Sequence, residues 1–243
     1  MSYGKPDYEI WEAAFQKIDH ASLMKHFGIE LEPERLRLAL THRSFANEHG
    51  RLPNNERLEF LGDAVLGLSI AGALYERFPN RPESDISKMR ASIVSRYGLA
   101  DVARKIDLGS YILLGIGEEK TRGHDKDSIL ADTTEAILGA IYLQYGFETT
   151  RNIILHLFKD KIANASASGR YSDWKTTLQE RLAERKITGI TYETSADGPA
   201  HEQTFYATVS ANGEELASGT GHNKKLAEQD AARNAVNALK QRP

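Results

Sequence analysis

Asn55-Glu56-Arg57-Leu58-Glu59-Phe60-Leu61-Gly62-Asp63-Ala64-Val65-Leu66 is the stretch on which the fold turns. At ~100° per residue on a helix, Glu56, Glu59 and Asp63 fall within about 60° of one another. Three carboxylates therefore share one narrow face. Leu58, Phe60, Leu61, Val65, Leu66, Leu68, Ile70 and Leu74 make nearly every other side apolar. A helix apolar all round is normally buried. No Lys or Arg occurs between Arg57 and Arg77 to pair with the acids. Buried carboxylates pair with cations, protonate or hold metal. The alternative for Glu56 and Glu59 is pairing with distant arginines, and Glu56, near the helix start, would also suit the helix dipole.

A second segment repeats the pattern. Ser128-Ile129-Leu130-Ala131-Asp132-Thr133-Thr134-Glu135-Ala136-Ile137-Leu138-Gly139-Ala140-Ile141 carries Asp132 and Glu135 at i, i+3, on one helical face. No Lys or Arg follows until Arg151. Two such helices packed face to face would repel, and a divalent cation between them would resolve the repulsion. Oxygen ligands without cysteine favour Mg2+, with Mn2+ able to substitute, over zinc. Magnesium keeps waters and binds phosphate oxygens, which points to phosphoryl chemistry.

Outward from these helices, Tyr8 to about Lys161 reads as helix after helix, broken at Gly28, Pro33, Leu52-Pro53-Asn54, Pro79–Pro82 and Gly115–Gly123. Asn164-Ala165-Ser166-Ala167-Ser168-Gly169 is small and polar and reads as a linker, or alternatively as a frayed helix end. Beyond it the pattern changes. Trp174–Lys186 is predicted helical, and Ile190–Ser195, Thr204–Ser210 and Glu214–Gly219 are predicted strands. Asn212-Gly213 is a hairpin signal, and Asn223–Leu239 is a closing helix. The predicted organisation is 1–162, an all-helical domain; 163–172, a flexible linker; and 173–243, a small α-β-β-β-α domain.

The 243 residues suffice for that pair, and 40% hydrophobic with 27% charged residues permits a core. The absence of cysteine excludes a disulfide scaffold, a zinc ribbon and a thiol nucleophile, and fits a reducing, cytoplasmic setting. Met1 to Phe15 has no apolar core of signal-peptide length, so no secretory signal is expected. No run approaches ~20 uninterrupted apolar residues, so no membrane span is expected.

The stretch Asn55 to Asp63 resembles, position for position, the signature motif of the ribonuclease III family. Ala39-Leu40-Thr41-His42-Arg43-Ser44-Phe45-Ala46-Asn47-Glu48 is similar to the segment that precedes it in bacterial members. Ser128–Tyr142 resembles the family's second acidic helix. The resemblance implies an all-α endonuclease domain followed by a small α+β double-stranded-RNA-binding domain. It implies that Glu59, Asp132 and Glu135 are magnesium ligands and that Asp63 and Glu135 are the active-site pair. Glu56 matches a carboxylate with a less direct role, behind the metal ligands or against the RNA. Thr133-Thr134 departs from the bulkier residue often found there, but the carboxylate spacing is unchanged. The implied reaction is hydrolysis of double-stranded RNA to 5′-phosphate and 3′-hydroxyl ends, acting on ribosomal RNA precursors and structured messages. The resemblance also implies a homodimer, since a duplex needs two sites about a two-fold axis. Phe60, beside Glu59, is the expected interface anchor, with a core position inside one subunit as the alternative.

At the C-terminal end, Thr176–Glu180, including Gln179 and Glu180, resembles the first-helix face that enters an RNA minor groove. Gly198-Pro199-Ala200-His201 matches the loop between the first two strands. Gly219–Gln229, with Asn223, Lys224 and Lys225, resembles the lysine motif opening the last helix. Lysines in a first helical turn are disfavoured by the dipole, yet such a terminus suits phosphate. The alternatives are solvated lysines and a plain turn histidine. From Tyr171 onward there are nine basic and ten acidic residues, and the whole chain carries −3. Recognition must then rest on local patches and on A-form shape and 2′-hydroxyl contacts. Glu118–Asp127 reads as a mixed-charge loop, with Lys120, Arg122 and Lys126 as RNA candidates or simply as solvated charges. The competing functional readings are a non-catalytic double-stranded-RNA-binding protein and a ribosome-associated protein that kept the fold.

Overall fold

A computed structural model describes residues 6–165, 174–198 and 203–241. The chain divides into two compact units, Met1–Arg170 and Tyr171–Pro243. In the first, the helices are α1 (Tyr8–Gln16), α2 (Ala21–Phe27), α3 (Pro33–Leu40), α4 (Arg43–Glu48), α5 (Glu56–Arg77), α6 (Glu83–Ile93), α7 (Arg96–Lys105), α8 (Ile116–Lys120), α9 (Asp127–Leu157) and α10 (Lys159–Ala163). Short 3-10 turns lie at Leu108–Tyr111 and Gly123–Asp125. Local chemistry sets several starts. Asp7 accepts from the Ile10 amide at 3.0 Å, Ser95 accepts from Gly98 at 3.0 Å, and Pro33 opens α3 where its missing N–H costs nothing. Helix α9 is interrupted at Gly146, whose backbone is non-helical (φ 75°).

The core of this unit is the seam between α5 and α9. Leu66, Ile70 and Leu74 on α5 and Ile137, Leu138 and Ile141 on α9 are fully buried, with Leu99 and Val102 of α7 and Leu36 and Leu40 of α3 closing around them. At about 25 cal/mol per Å2 of apolar surface, burial of this kind outweighs local helix propensity in holding the elements.

Helix α5 departs from the expectation that it is buried all round. Phe60 is 80% exposed, Leu68 61% and Tyr75 75%. These positions fall within about 80° of one another on the helix. Sequence periodicity cannot reveal such a face when both sides are apolar. The reading of Phe60 as a core residue of its own subunit is thereby overturned. Among the described residues, α5 alone has the length and mean hydropathy (1.4 over its most apolar window) of a membrane span. Glu59 and Asp63 interrupt that run and its inner face lies in the core, so α5 is not an uninterrupted apolar stretch and has the composition of a core helix as well.

The second unit is α11 (Trp174–Glu184), β1 (Thr191–Asp197), β2 (Thr204–Ala211), β3 (Glu214–Gly221) and α12 (Lys224–Gln241). The strands form one antiparallel sheet in the order β1-β2-β3, with Tyr192 opposite Val209, Val209 opposite Ala217, and an irregularity between Val209 and Ser210. Asn212 and Gly213 both take positive φ (51° and 79°), as a tight primed hairpin turn requires. Leu178 and Leu182 from α11, Val209 from β2, and Ala231 and Val236 from α12 form the core. Of the expected linker, Ala163 closes α10, and 166–172 lies outside the described residues.

Candidate active site

Two glycines bring the acidic helices together. A Cβ added to Gly62 would lie 1.8 Å from the Glu135 carbonyl oxygen, and one on Gly139 would lie 2.2 Å from that of Leu58. No side chain fits at either place, so the backbones of α5 and α9 touch at the level of the carboxylates. Asn55 fixes the start of α5. It is buried, its amide nitrogen donates to the Thr41 carbonyl at 3.0 Å, and its side-chain nitrogen donates to Ala39 at 3.3 Å. The Thr41–Glu48 segment is pinned in turn. His42 donates its backbone N–H to Leu113 at 3.1 Å, Ser44 Oγ accepts from Gly115 at 2.9 Å, and Glu48 accepts from Ile116 at 2.9 Å.

On this frame one oxygen from each of Glu59, Asp132 and Glu135 lies within 4.8 Å of the others. Asp63 is exposed and stands outside that trio, but its charge acts on Glu59 and Glu135. Among the described residues, none of these four carboxylates lies within ion-pair distance of a lysine, arginine or histidine. Glu135, 9% exposed, has its carboxyl pushed up to about 8 by burial first, and then by Asp63, Asp132 and Glu59. Burial and then Asp132, Glu56 and Asp63 raise Glu59, while Arg43 opposes the shift. Burial raises Asp132, while Arg96 and Arg43 oppose it. Three crowded carboxylates with no basic side chain at ion-pair distance among the described residues match the donor set that a hard divalent ion takes. These residues fit such an ion.

Glu56 lies apart from the trio. Its carboxylate sits 3.6 Å from Arg43 Nη1 with both side chains exposed, so the alternative of an arginine partner is realised for Glu56 but not for Glu59. Thr134 bonds back to the Leu130 carbonyl at 2.8 Å, and Thr133 is fully buried. The two threonines pack inside α9 and leave the positions of the acids to the helix. Sequence reasoning missed Arg43 and Arg96, which come from distant segments, and the roles of Gly62 and Gly139. The glycines did carry a signal: each sits inside a helix, where Gly costs about 1 kcal/mol relative to Ala.

In the second unit, Gln179 and Glu180 are exposed on α11, and Asn223, Lys224 and Lys225 are exposed where α12 begins. Asn223 Oδ1 accepts from the Leu226 amide at 2.9 Å, so asparagine caps this helix as expected. Lys175 pairs with Glu228 at 2.7 Å and lies 4.4 Å over the Tyr192 ring, tying α11 to α12 and β1. His201 lies outside the described residues. The Glu118–Asp127 stretch is not a loop throughout. Glu118–Lys120 ends α8, Lys126 binds Glu118 at 2.6 Å and Thr121 at 2.7 Å, and Arg104 holds Asp125 and Asp127. Lys126 is therefore engaged within the protein, whereas Lys120 and Arg122 are exposed.

Comparison with known proteins agrees with this geometry. Residues 32–162 match the family model described as Ribonuclease-III-like, and residues 174–239 match the double-stranded RNA binding motif. A protein named Ribonuclease 3 from Corynebacterium glutamicum is 62% identical over 94% of this chain and 92% of its own length. Its namesake from Corynebacterium diphtheriae is 63% identical, also covering 94% and 92%. The ribonuclease III nuclease domain from Campylobacter jejuni is 41% identical and superposes with a TM-score of 0.55. It covers 59% of this chain and 98% of that domain, and its structure is described in terms of flexibility in a region involved in dimer formation. An all-helical unit carrying paired acidic helices, joined to an α-β-β-β-α unit, places the chain in the ribonuclease III family.

Proposed function

We propose that the chain hydrolyses phosphodiester bonds in double-stranded RNA with a divalent metal held by Glu59, Asp132 and Glu135. The observation that carries this reading is the convergence of three carboxylates, with no basic side chain at ion-pair distance among the described residues, on the seam of α5 and α9. Mg2+ is the ion proposed, with Mn2+ as a substitute, because the donors are all oxygen. A divalent ion supplies positive charge against the charge that develops on a phosphodiester and acidifies water. Glu59, Asp132 and Glu135 would hold the ion through their carboxylate oxygens and so fix where it meets the phosphodiester. Asp63, exposed beside them, is the carboxylate left to hold water or pass a proton. The water oxygen gives up a proton, for which Asp63 is the acceptor at hand, as it bonds to phosphorus; the P–O3′ bond breaks and the leaving 3′ oxygen takes up a proton, giving 5′-phosphate and 3′-hydroxyl ends.

The second unit supplies duplex binding, through Gln179 and Glu180 on α11, His201 in the β1–β2 segment, and Asn223, Lys224 and Lys225 at the start of α12. The domain limits proposed are 1–162 and 173–243 around a 163–172 connector. Two copies related by a two-fold axis would cut the two strands, with Phe60 as an anchor between them. Its 80% exposure supports that role. The proposed substrates are ribosomal RNA precursors and structured messages, in the cytoplasm. The test is incubation of a labelled duplex and its single strand with Mg2+, with and without EDTA. Duplex-only cleavage, lost in EDTA and leaving 5′-phosphate ends, is expected. Duplex binding with no cutting at any metal concentration would favour the non-catalytic binding protein.

A further inference from the structure

Arg43 is the first residue of α4, and its guanidinium lies 3.6 Å from the Glu56 carboxylate. That exceeds hydrogen-bond length, and the two side chains are 67% and 54% exposed. An exposed pair of this kind contributes little to stability, so stability does not account for a cation at this place. Its surroundings are tightly held. His42 Nδ1 accepts from the Ser44 amide at 3.2 Å and caps α4, while the Thr41 carbonyl receives the Asn55 amide at 3.0 Å. Arg43 stands two residues after Thr41, and Glu56 stands one residue after Asn55. Both partners thus grow from one backbone pin. The field of Arg43 also reaches the acidic trio, where it opposes the upward shifts of Glu59 and Asp132.

An acidic site that cuts a polyanion faces an electrostatic conflict at the moment of binding. The trio, Asp63 and Glu56 repel the phosphates that must approach them. A guanidinium offers a planar fork that matches a phosphate, and it keeps its charge at every working pH. We propose that Arg43 is a substrate-positioning residue that leaves Glu56 to hold a backbone phosphate of the RNA strand lying on the acidic trio. Glu56 is its resting partner when no RNA is bound. Glu56 thereby acts through Arg43 and not as a ligand of the trio. The inference rests on the reading of the trio as the cleavage site.

The test uses the full chain with Arg43→Gln, Arg43→Lys, Glu56→Gln and the double variant, assayed for duplex cleavage in Mg2+ over a KCl series. Arg43→Gln is expected to lower kcat/KM by about tenfold or more, as loss of a positioning contact does. It is also expected to flatten the slope of log kcat/KM against log[KCl] by about 0.9, the share of one phosphate contact. Arg43→Lys is expected to restore the slope and part of the rate, because a lysine also meets a phosphate but as a point charge. Glu56→Gln should keep the wild-type slope, and adding Arg43→Gln should flatten it. An unchanged slope in Arg43→Gln, or a double variant no worse than Glu56→Gln alone, would overturn the proposal. Glu135→Gln and an EDTA lane test the underlying reading separately. Cleavage that survives both would remove it whatever Arg43 does.

Discussion

Glu135 concentrates the chemistry of this protein in one side chain. It is nearly buried, three acids (Asp63, Asp132 and Glu59) act on it, and burial and those charges raise its carboxyl to about 8. The direction fixes a pH dependence. A carboxyl whose folded pKa lies above its unfolded value contributes stability below the unfolded pKa, near 4.5, and loses it as pH rises through the folded one. The metal-free chain should therefore lose thermal stability between about pH 5 and 8. Glu135→Gln, which cannot ionise, should show a flatter profile in that window, and Mg2+ should restore wild type more than the variant. Parallel melting curves for the two proteins would contradict the account. Both acid pairs could be read from the sequence, because i, i+3 and i, i+4 spacing on a helix is a local property. Arg43 and Arg96 could not, because their approach depends on how segments far apart in the chain fold back.

At the scale of elements, the site exists because α5 and α9 touch. The close approach at Gly62 and Gly139 leaves no space for a methyl group. Gly62→Ala should force the helices apart, cost about 1–3 kcal/mol as overpacking does, and abolish cleavage while RNA binding by the second unit persists. A variant with wild-type stability and rate would show that the contact does not position the acids. In the second unit the cap at Asn223 gives a smaller, local prediction. Asn223→Ala should destabilise α12 by about 1 kcal/mol and Asn223→Ser should be close to neutral, measured by chemical denaturation of the full chain. Asn212-Gly213 and the capping asparagine were legible in the sequence because both are short-range signals. The exposed side of α5 was not, because Phe60, Leu68 and Tyr75 are as apolar as the residues buried opposite them. Only the packing decides which of the two faces meets α9.

At the scale of the molecule, a cutting unit and a binding unit are joined in one chain of nearly balanced charge. The α-β-β-β-α order of the second unit and the helical run of the first were legible from pattern changes around residue 170. The exposed stripe on α5 carries a prediction for the assembly. Phe60→Ala should shift sedimentation toward monomer, and an unchanged sedimentation coefficient would remove Phe60 as an anchor. The central claim is that acids on two helices form one metal-dependent cutting site. The most direct test compares wild type and Glu135→Ala on a labelled RNA duplex in Mg2+, with binding measured in parallel. Wild type is expected to cut, and the variant to bind the duplex with similar affinity without cutting it. A variant that cuts at the wild-type rate would contradict that claim.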